Sequence, residues 1–206
     1  MNFLRPDSDF MQSASKVVYY LYAHLLMIVC CVPIITVGAS LTALHYVLLK
    51  LYKDEEGNVT KTFFVAFKEN FIQASSIWLI YFVMLSLLAF DIYFVLIEGQ
   101  SLIIIMLMFA LCIVLLANIS WAFVLLSRYK NNVKTTLYNS FVVAFAFPGS
   151  TVILAVLTFG PILLALKYLG GLPLFLLVGW WMSGYYQPRI YSRVFEKIEN
   201  NSERRK

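Results

Sequence analysis

The sequence predicts an all-α fold: a polytopic transmembrane helical bundle of five to six helices, with residues 1–206 forming a single integral membrane domain. Three observations predict it. Hydrophobic residues make up 61% of the 206 and charged residues 13%, against roughly 25% charged in ordinary soluble domains, and mean hydropathy is +0.80. Apolar runs at 17–49, 71–97, 101–127, 137–166 and 172–186 approach or exceed the roughly 20 residues that cross a hydrocarbon core about 30 Å thick. The charges collect in the gaps between those runs, and little chain is left for a soluble domain.

The N-terminal segment, 1–16, is mixed, with Asp7 and Asp9 offsetting Arg5 and Lys16. A cleaved signal peptide is not expected, because a positive n-region is missing and the apolar run continues past the length of an h-region. The first run, Val17 to Leu49, is too long for one straight crossing at about 1.5 Å per residue. Pro33 removes a backbone donor and disfavours helix in the residue before it, and Gly38 permits conformations other residues avoid. The helix therefore breaks between them, and two arrangements follow. If each half spans, the N-terminus is cytoplasmic and there are six helices; if the halves form one kinked crossing, the N-terminus is outside and there are five. The break is either a bend repaired by the Thr36 and Ser40 hydroxyls or an unwound half-helix of the kind that binds cargo in transporters.

Val47 to Asn70 reads VLLKLYKDEEGNVTKTFFVAFKEN, the end of one apolar run, a basic and acidic turn with Gly57 and Asn58, and a Phe-rich restart. Phe63, Phe64, Phe67 and Phe71 fall on one helical face and Lys61, Lys68 and Glu69 on the other, a pattern that predicts a segment at the headgroup boundary before the chain turns in. A shorter copy, VLLSRYKNNVKTT, occupies Val124 to Thr136. Both copies end one apolar run and begin the next in the same orientation, so the repeat is parallel. After the second copy the fourth run breaks at Pro148 and Gly149, and Gly160 and Pro161 follow. The last run ends in Trp180, Trp181, Tyr185 and Tyr186, an aromatic belt beside the basic tail, 187–206, whose Arg189, Arg193 and Lys197 predict an amphipathic extension.

The net charge of +5 is a topology signal. Lys50, Lys53, Lys61 and Lys68 lie in the first turn, Arg128, Lys130 and Lys134 in the second, and Arg189, Arg193, Lys197, Arg204, Arg205 and Lys206 near the C-terminus, whereas Glu98 to Gln100 carries no basic residue and Gly170 and Gly171 only Lys167. Short loops rich in Lys and Arg stay in the cytoplasm, which places both copied turns and the C-terminus there. A nucleic-acid footprint is a basic patch on a folded face, and this distribution excludes nucleic acid as the expected partner. Cys30, Cys31 and Cys112 all fall inside apolar runs; they make no disulfide framework and no metal-ligand spacing, and read as small hydrophobes.

Val32-Pro33-Ile34-Ile35-Thr36-Val37-Gly38-Ala39-Ser40, then Ala43, the acidic turn with Gly57, and Phe63-Phe64-Val65-Ala66-Phe67-Lys68-Glu69-Asn70-Phe71 resemble the YesL-like family of small bacterial integral membrane proteins. The resemblance rests on the Pro-x-x-Thr-x-Gly break and the Ala-Phe-Lys-x-Asn-Phe restart. It implies a multi-pass protein of the bacterial plasma membrane, often encoded near carbohydrate ABC transporters and their regulators, and no biochemical activity comes with it. Relatives tend to have Asn where this chain has His24, which implies a small polar group there rather than a titrating ligand.

Ionisable residues inside membrane segments are functional suspects. The candidate intramembrane polar site comprises His24, Thr36, His45, Asp91, Glu98 and Asn118. Asp91 and Glu98 are seven apart on nearly one helical face and form an acidic strip, or else Glu98 belongs to the outer loop and Asp91 reaches toward it or toward Lys167. His24 and His45 flank the Pro33 break and face one another if the first run is a hairpin, as core histidines or as a site. Asn118 is of the type that bonds across helices. No phosphate-cradling glycine loop, HExxH or GxSxG occurs in the chain, so no enzyme, metal or cofactor is expected. Besides the lipid bilayer, the expected partner is another membrane protein, an ABC permease or sensor kinase, or a second copy. The competing expectation is a small oligomeric transporter or channel whose path runs past the Pro33/Gly38 and Pro148 breaks.

Overall fold

An apolar chain satisfies its backbone polar groups inside a bilayer by coiling them into helices, and helix is what the sequence forms. The computed structural model describes residues 9–55, 57–98, 102–167 and 172–203. Among them run seven helices: α1 (Asp9–Cys31), α2 (Val37–Tyr52), α3 (Val59–Glu98), α4 (Leu102–Arg128), α5 (Val133–Ala146), α6 (Pro148–Lys167) and α7 (Leu172–Glu203). The stretch Ile34–Tyr52, which ends in α2, and segments of α3, α4 and α6 are long and apolar enough to cross a membrane, and α1 carries a shorter apolar stretch, Ser15–Cys31. The count exceeds six because the fourth run divides into α5 and α6. Residues 1–8, Gln100, Gly170 and Gly171, Arg204, Arg205 and Lys206 lie outside the described residues.

The first run folds back on itself. Lys16 Nζ, near the start of α1, is 2.5 Å from Asp54 Oδ1, just past the end of α2, and Tyr20 and Ala23 pack with Ala43, Leu44, Val47 and Leu48. α1 and α2 are therefore an antiparallel hairpin, and the start of α1 lies at the same end as the α2–α3 turn. Pro33 is extended, with φ −77° and ψ 123°, and Ile34–Thr36 form one 3₁₀ turn. The break frees carbonyls that the expected hydroxyls answer: Thr36 Oγ1 lies 2.6 Å from the Cys30 carbonyl and 2.7 Å from that of Pro33, and Ser40 Oγ donates to the Thr36 carbonyl at 2.9 Å.

α3 has 40 residues, about 60 Å of helix. Its Phe-rich start is continuous with the rest of the helix. Phe63 is fully buried with Val59 and Ala66 against the α1–α2 hairpin, while Phe64 and Phe71 remain exposed. The hairpin supplies the apolar cover over Phe63. The hairpin and α3 come close at Gly38, where an added Cβ would lie 2.2 Å from the Ala74 carbonyl oxygen.

The two copied turns are built alike. Val47, Leu48 and Leu49 are buried, and so are Val124, Leu125 and Leu126. Asn58 Oδ1 accepts from the Lys61 amide at 3.1 Å, and Asn132 Oδ1 from that of Thr135 at 2.9 Å; each is a side-chain cap on the helix restarting at the next valine. The copies then diverge. The first restart runs unbroken as α3, whereas the second stops at Ala146 and resumes at Pro148, a residue suited to a first helical position. This break is repaired as the first is, by the threonine three residues after the proline: Thr151 Oγ1 lies 3.0 Å from the Ala144 carbonyl and 2.9 Å from that of Phe147, and accepts from Trp121 Nε1 at 2.8 Å.

α7 continues through Pro188 to Glu203. The basic tail is amphipathic as expected, but its apolar face, Tyr191, Val194 and Phe195, packs into a core with Leu49, Trp121, Val124, Leu125 and Leu154 instead of lying on a surface. The ion pairs Lys16–Asp54, Lys50–Glu55, Arg128–Glu199 and Lys130–Glu69 mark one end of the molecule as the charged end. At the other end α3 and α4 present Phe90, Tyr93, Phe94, Leu102, Ile103 and Leu107 outward, the surface of a chain whose solvent is lipid.

Candidate functional site

Among the described residues, the candidates His24, Thr36, His45, Asp91 and Asn118 do not form one site. His24 and His45 are both buried in the hairpin. Each rests on an aromatic residue of α7, with His24 stacked on Trp180 at 5.9 Å between ring centroids and His45 edge-on to Tyr191 at the same separation. His24 Nδ1 is bonded to the Tyr20 carbonyl at 2.8 Å, and Tyr191 Oη donates to the His45 carbonyl at 3.4 Å. His45 Nδ1 is buried with no hydrogen-bond partner among the described residues. Thr36 belongs to the repaired break.

Asn118 lies elsewhere, at the junction of α3, α4 and α5. Its Oδ1 accepts from the Tyr81 hydroxyl and, at 2.7 Å, from Ser140 Oγ, and all three residues are buried. Such a triad fixes helix against helix. Asp91 is exposed on the far half of α3 and forms no ion pair among the described residues. Glu98 ends α3, and its side chain lies outside the described residues. The acidic strip proposed for Asp91 and Glu98 therefore lies partly outside the described residues. Pro33, Gly38, Pro148 and Gly149 mark the two breaks as expected, but Gly38 serves close packing, and around Gly149 nothing lies within 4 Å of an added Cβ.

A feature that sequence reasoning missed sits at the charged end. A cleft of about 800 Å³ opens between the α4–α5 turn, α5 and the end of α7. Val143, Phe147 and Ile198 line it with apolar surface, and Asn131, Asn139 and Asn201 add three carboxamides. Asn131 lies in the α4–α5 turn and Asn139 on α5, and pairing them with Asn201 required α7 to fold back beside α5. Carboxamides both donate and accept, so the cleft has the chemistry to hold a polypeptide segment or another group rich in hydroxyls and amides. Among the described residues no cluster of three or more His, Cys, Asp or Glu is placed to hold a metal.

One wall is pinned by charge. Arg128 forks onto Glu199, with Nη2 2.8 Å from Oε1 and 3.2 Å from Oε2, Nε 3.1 Å from Oε1, and the Tyr129 hydroxyl donating to Oε1 at 2.9 Å. The Arg128 guanidinium holds the Glu199 carboxyl below its ordinary 4.5. A depressed carboxylate stabilises the fold above the unfolded value, near 4.5, and that contribution is lost as pH falls through the lower folded value. The Glu199 side chain is 42% exposed, so screening limits the contribution to about 0.5 kcal/mol. Glu199→Gln should therefore melt slightly below the parent protein near neutral pH, and the difference should shrink progressively as pH falls below 4.5; thermal unfolding in detergent across that range measures it.

The comparisons bear on the first half of the molecule. No curated protein and no solved structure matches the chain. Residues 19–92, which hold most of α1, all of α2, the first copied turn and most of α3, match the model of a family described as "Protein of unknown function, DUF624", the family of YesL-like membrane proteins that the Pro33 and Phe63–Phe71 motifs resemble.

Proposed function

We propose that this is a non-catalytic integral protein of the bacterial plasma membrane, its charged end in the cytoplasm, that serves as an accessory or regulatory partner of another membrane protein. The expected partner is the permease of a carbohydrate ABC transporter or an associated sensor kinase. The observation that carries this reading is how the buried polar groups are used. Thr36 and Thr151 repair helix breaks, Asn118 joins Tyr81 to Ser140, and Ser183 and Gln187 of α7 bond to Leu157 and Thr158 of α6. Polar groups spent on helix repair and helix pairing do not converge on a path for cargo, whereas the cleft at the charged end offers apolar surface with amides. The orientation is supported by the basic turns, and the partner class by the setting that the family resemblance implies.

The test is purification of the tagged protein from its own membranes in mild detergent, followed by mass spectrometry. A stoichiometric permease or sensor kinase is expected, retained by Asp91→Asn and His24→Asn and lost when Val142→Trp fills the cleft. Isolation as a homo-oligomer whose reconstituted flux disappears with Asp91→Asn would sink the accessory reading in favour of a small transporter or channel. Asp91 is the observation that favours that second reading, since an exposed carboxylate among the apolar residues of α3 needs a reason.

A further inference from the structure

We infer that the α1–α2 hairpin enters the bilayer without crossing it, so that its tip, Val32 to Ile35, contacts lipid acyl chains near the middle of the membrane. By length and composition alone the stretch Ile34–Tyr52 qualifies as a span. Packing decides otherwise. Gly38 fixes the height of the hairpin on α3, because its Cα faces the Ala74 carbonyl and Trp78 Cβ at a separation that leaves no room for a side chain. From Trp78, α3 continues to Glu98, about 30 Å at 1.5 Å per residue. From Gly38 the hairpin continues only to Pro33, about 8 Å on the same rise. The tip therefore stops about 20 Å short of the far end of α3 along its axis, and about 15 Å short even at the steepest tilt usual for membrane helices. The hydrocarbon core that α3 crosses is about 30 Å thick, so the tip lies well inside it.

The tip is made for that place. Val32 is 80% exposed, Ile34 58% and Ile35 55%, and no charged residue lies between Lys16 and Lys50. A turn that reached the opposite surface would meet headgroups and water with these apolar side chains outward, whereas the other end of the same hairpin carries Lys16, Lys50, Asp54 and Glu55 in ion pairs. Irregular backbone at membrane depth must have its polar groups answered from within, and the Thr36 hydroxyl does so at the Cys30 and Pro33 carbonyls. The outer face of α1 carries Leu25, Ile28 and Val29, all exposed, up to the tip.

Single cysteines placed at Glu55, Ile34 and Ile97, in a chain with Cys30, Cys31 and Cys112 changed to alanine, test this with a membrane-impermeant maleimide applied to right-side-out and inside-out vesicles. Glu55→Cys and Ile97→Cys should label from opposite faces, and Ile34→Cys from neither until detergent is added. Labelling of Ile34→Cys from the Ile97 face means a complete crossing and overturns the inference; labelling from the Glu55 face places the hairpin outside the bilayer and overturns it too, as does labelling of positions 55 and 97 from one face. A nitroxide at Val32→Cys in reconstituted protein distinguishes lipid from a protein cover. Strong relaxation by oxygen with little by a water-soluble nickel complex is expected, and protection from both overturns the assignment to acyl chains.

Discussion

Replacing Gly38 by alanine is expected to destabilise the protein by about 1–3 kcal/mol, and replacing it by leucine to abolish the monodisperse folded protein, because a close-packed contact has no space for added atoms. An alanine Cβ at this position would sit 2.2 Å from the Ala74 carbonyl oxygen, 2.8 Å from the Ala74 carbonyl carbon and 2.8 Å from Trp78 Cβ. The nearest atoms belong to the backbone of α3 and no rotamer change moves them, so the helices must part. Parting them withdraws Ala39 from Ala74 and Ile77 and loosens the hairpin that covers Phe63. Gly149→Ala is the matched control. No atom lies within 4 Å of a Cβ there, and the substitution should leave stability unchanged or raise it by up to about 1 kcal/mol through the backbone entropy glycine loses on entering a helix. The midpoint of heat-induced loss of the size-exclusion peak in detergent reads both variants; equal midpoints for the two would remove Gly38 as the contact that sets the height of the hairpin.

Trp121→Ala should cost about 3–5 kcal/mol, the range for deleting a large buried aromatic side chain, and Trp121→Phe about 1–3 kcal/mol, from the lost indole N–H bond and the volume difference. Trp121 is fully buried where α2, α4, α6 and α7 meet, packed with Leu49, Leu154, Tyr191 and Val194. Its Nε1 donates to the same Thr151 hydroxyl that mends the α5–α6 break. The indole thus does two separable things, filling the core between the two halves of the chain and holding the repair in place. Thr151→Val separates them, since it keeps the shape and removes the hydroxyl. Trp121→Phe and Thr151→Val should lose similar stability, and the double variant should lose clearly less than their sum, because both remove one shared bond. Strict additivity by the same melting measurement would show that the bond contributes nothing.

The breaks show how legible the fold was. Pro33 and Pro148 were readable as interruptions because proline withdraws a donor wherever it stands, and the helix identity of every long run followed from its lack of charge. The repairs were half legible. Thr36 and Ser40 lie within a few residues of Pro33, and local hydroxyl bonds follow from sequence distance. Thr151 was not assigned its role, since its third partner, Trp121, comes from another helix. The shared spacing of Pro33 to Thr36 and of Pro148 to Thr151 was nonetheless a signal in plain view. The candidate site was less legible than the fold. His24, His45 and Asn118 were rightly singled out as polar groups in apolar surroundings, but their neighbours Trp180, Tyr191, Tyr81 and Ser140 come from other helices. The cleft with Asn131, Asn139 and Asn201 had no sequence signature, because carboxamides in a turn and on helix surfaces are ordinary residues until a fold brings them together.

By itself the sequence determined that this protein is a helical membrane bundle, where its helices are interrupted, and which turns share a side, because hydropathy, proline and clustered charge act over a few residues and need no partner. Only the tertiary structure decided that the first run is a hairpin, how high it reaches on α3, and that the basic tail closes over α5 to form a cleft. Those features depend on contacts between residues far apart in the chain. Gly38 on Ala74, Lys16 on Asp54 and Arg128 on Glu199 are set by the shapes of packed surfaces, which no local pattern encodes.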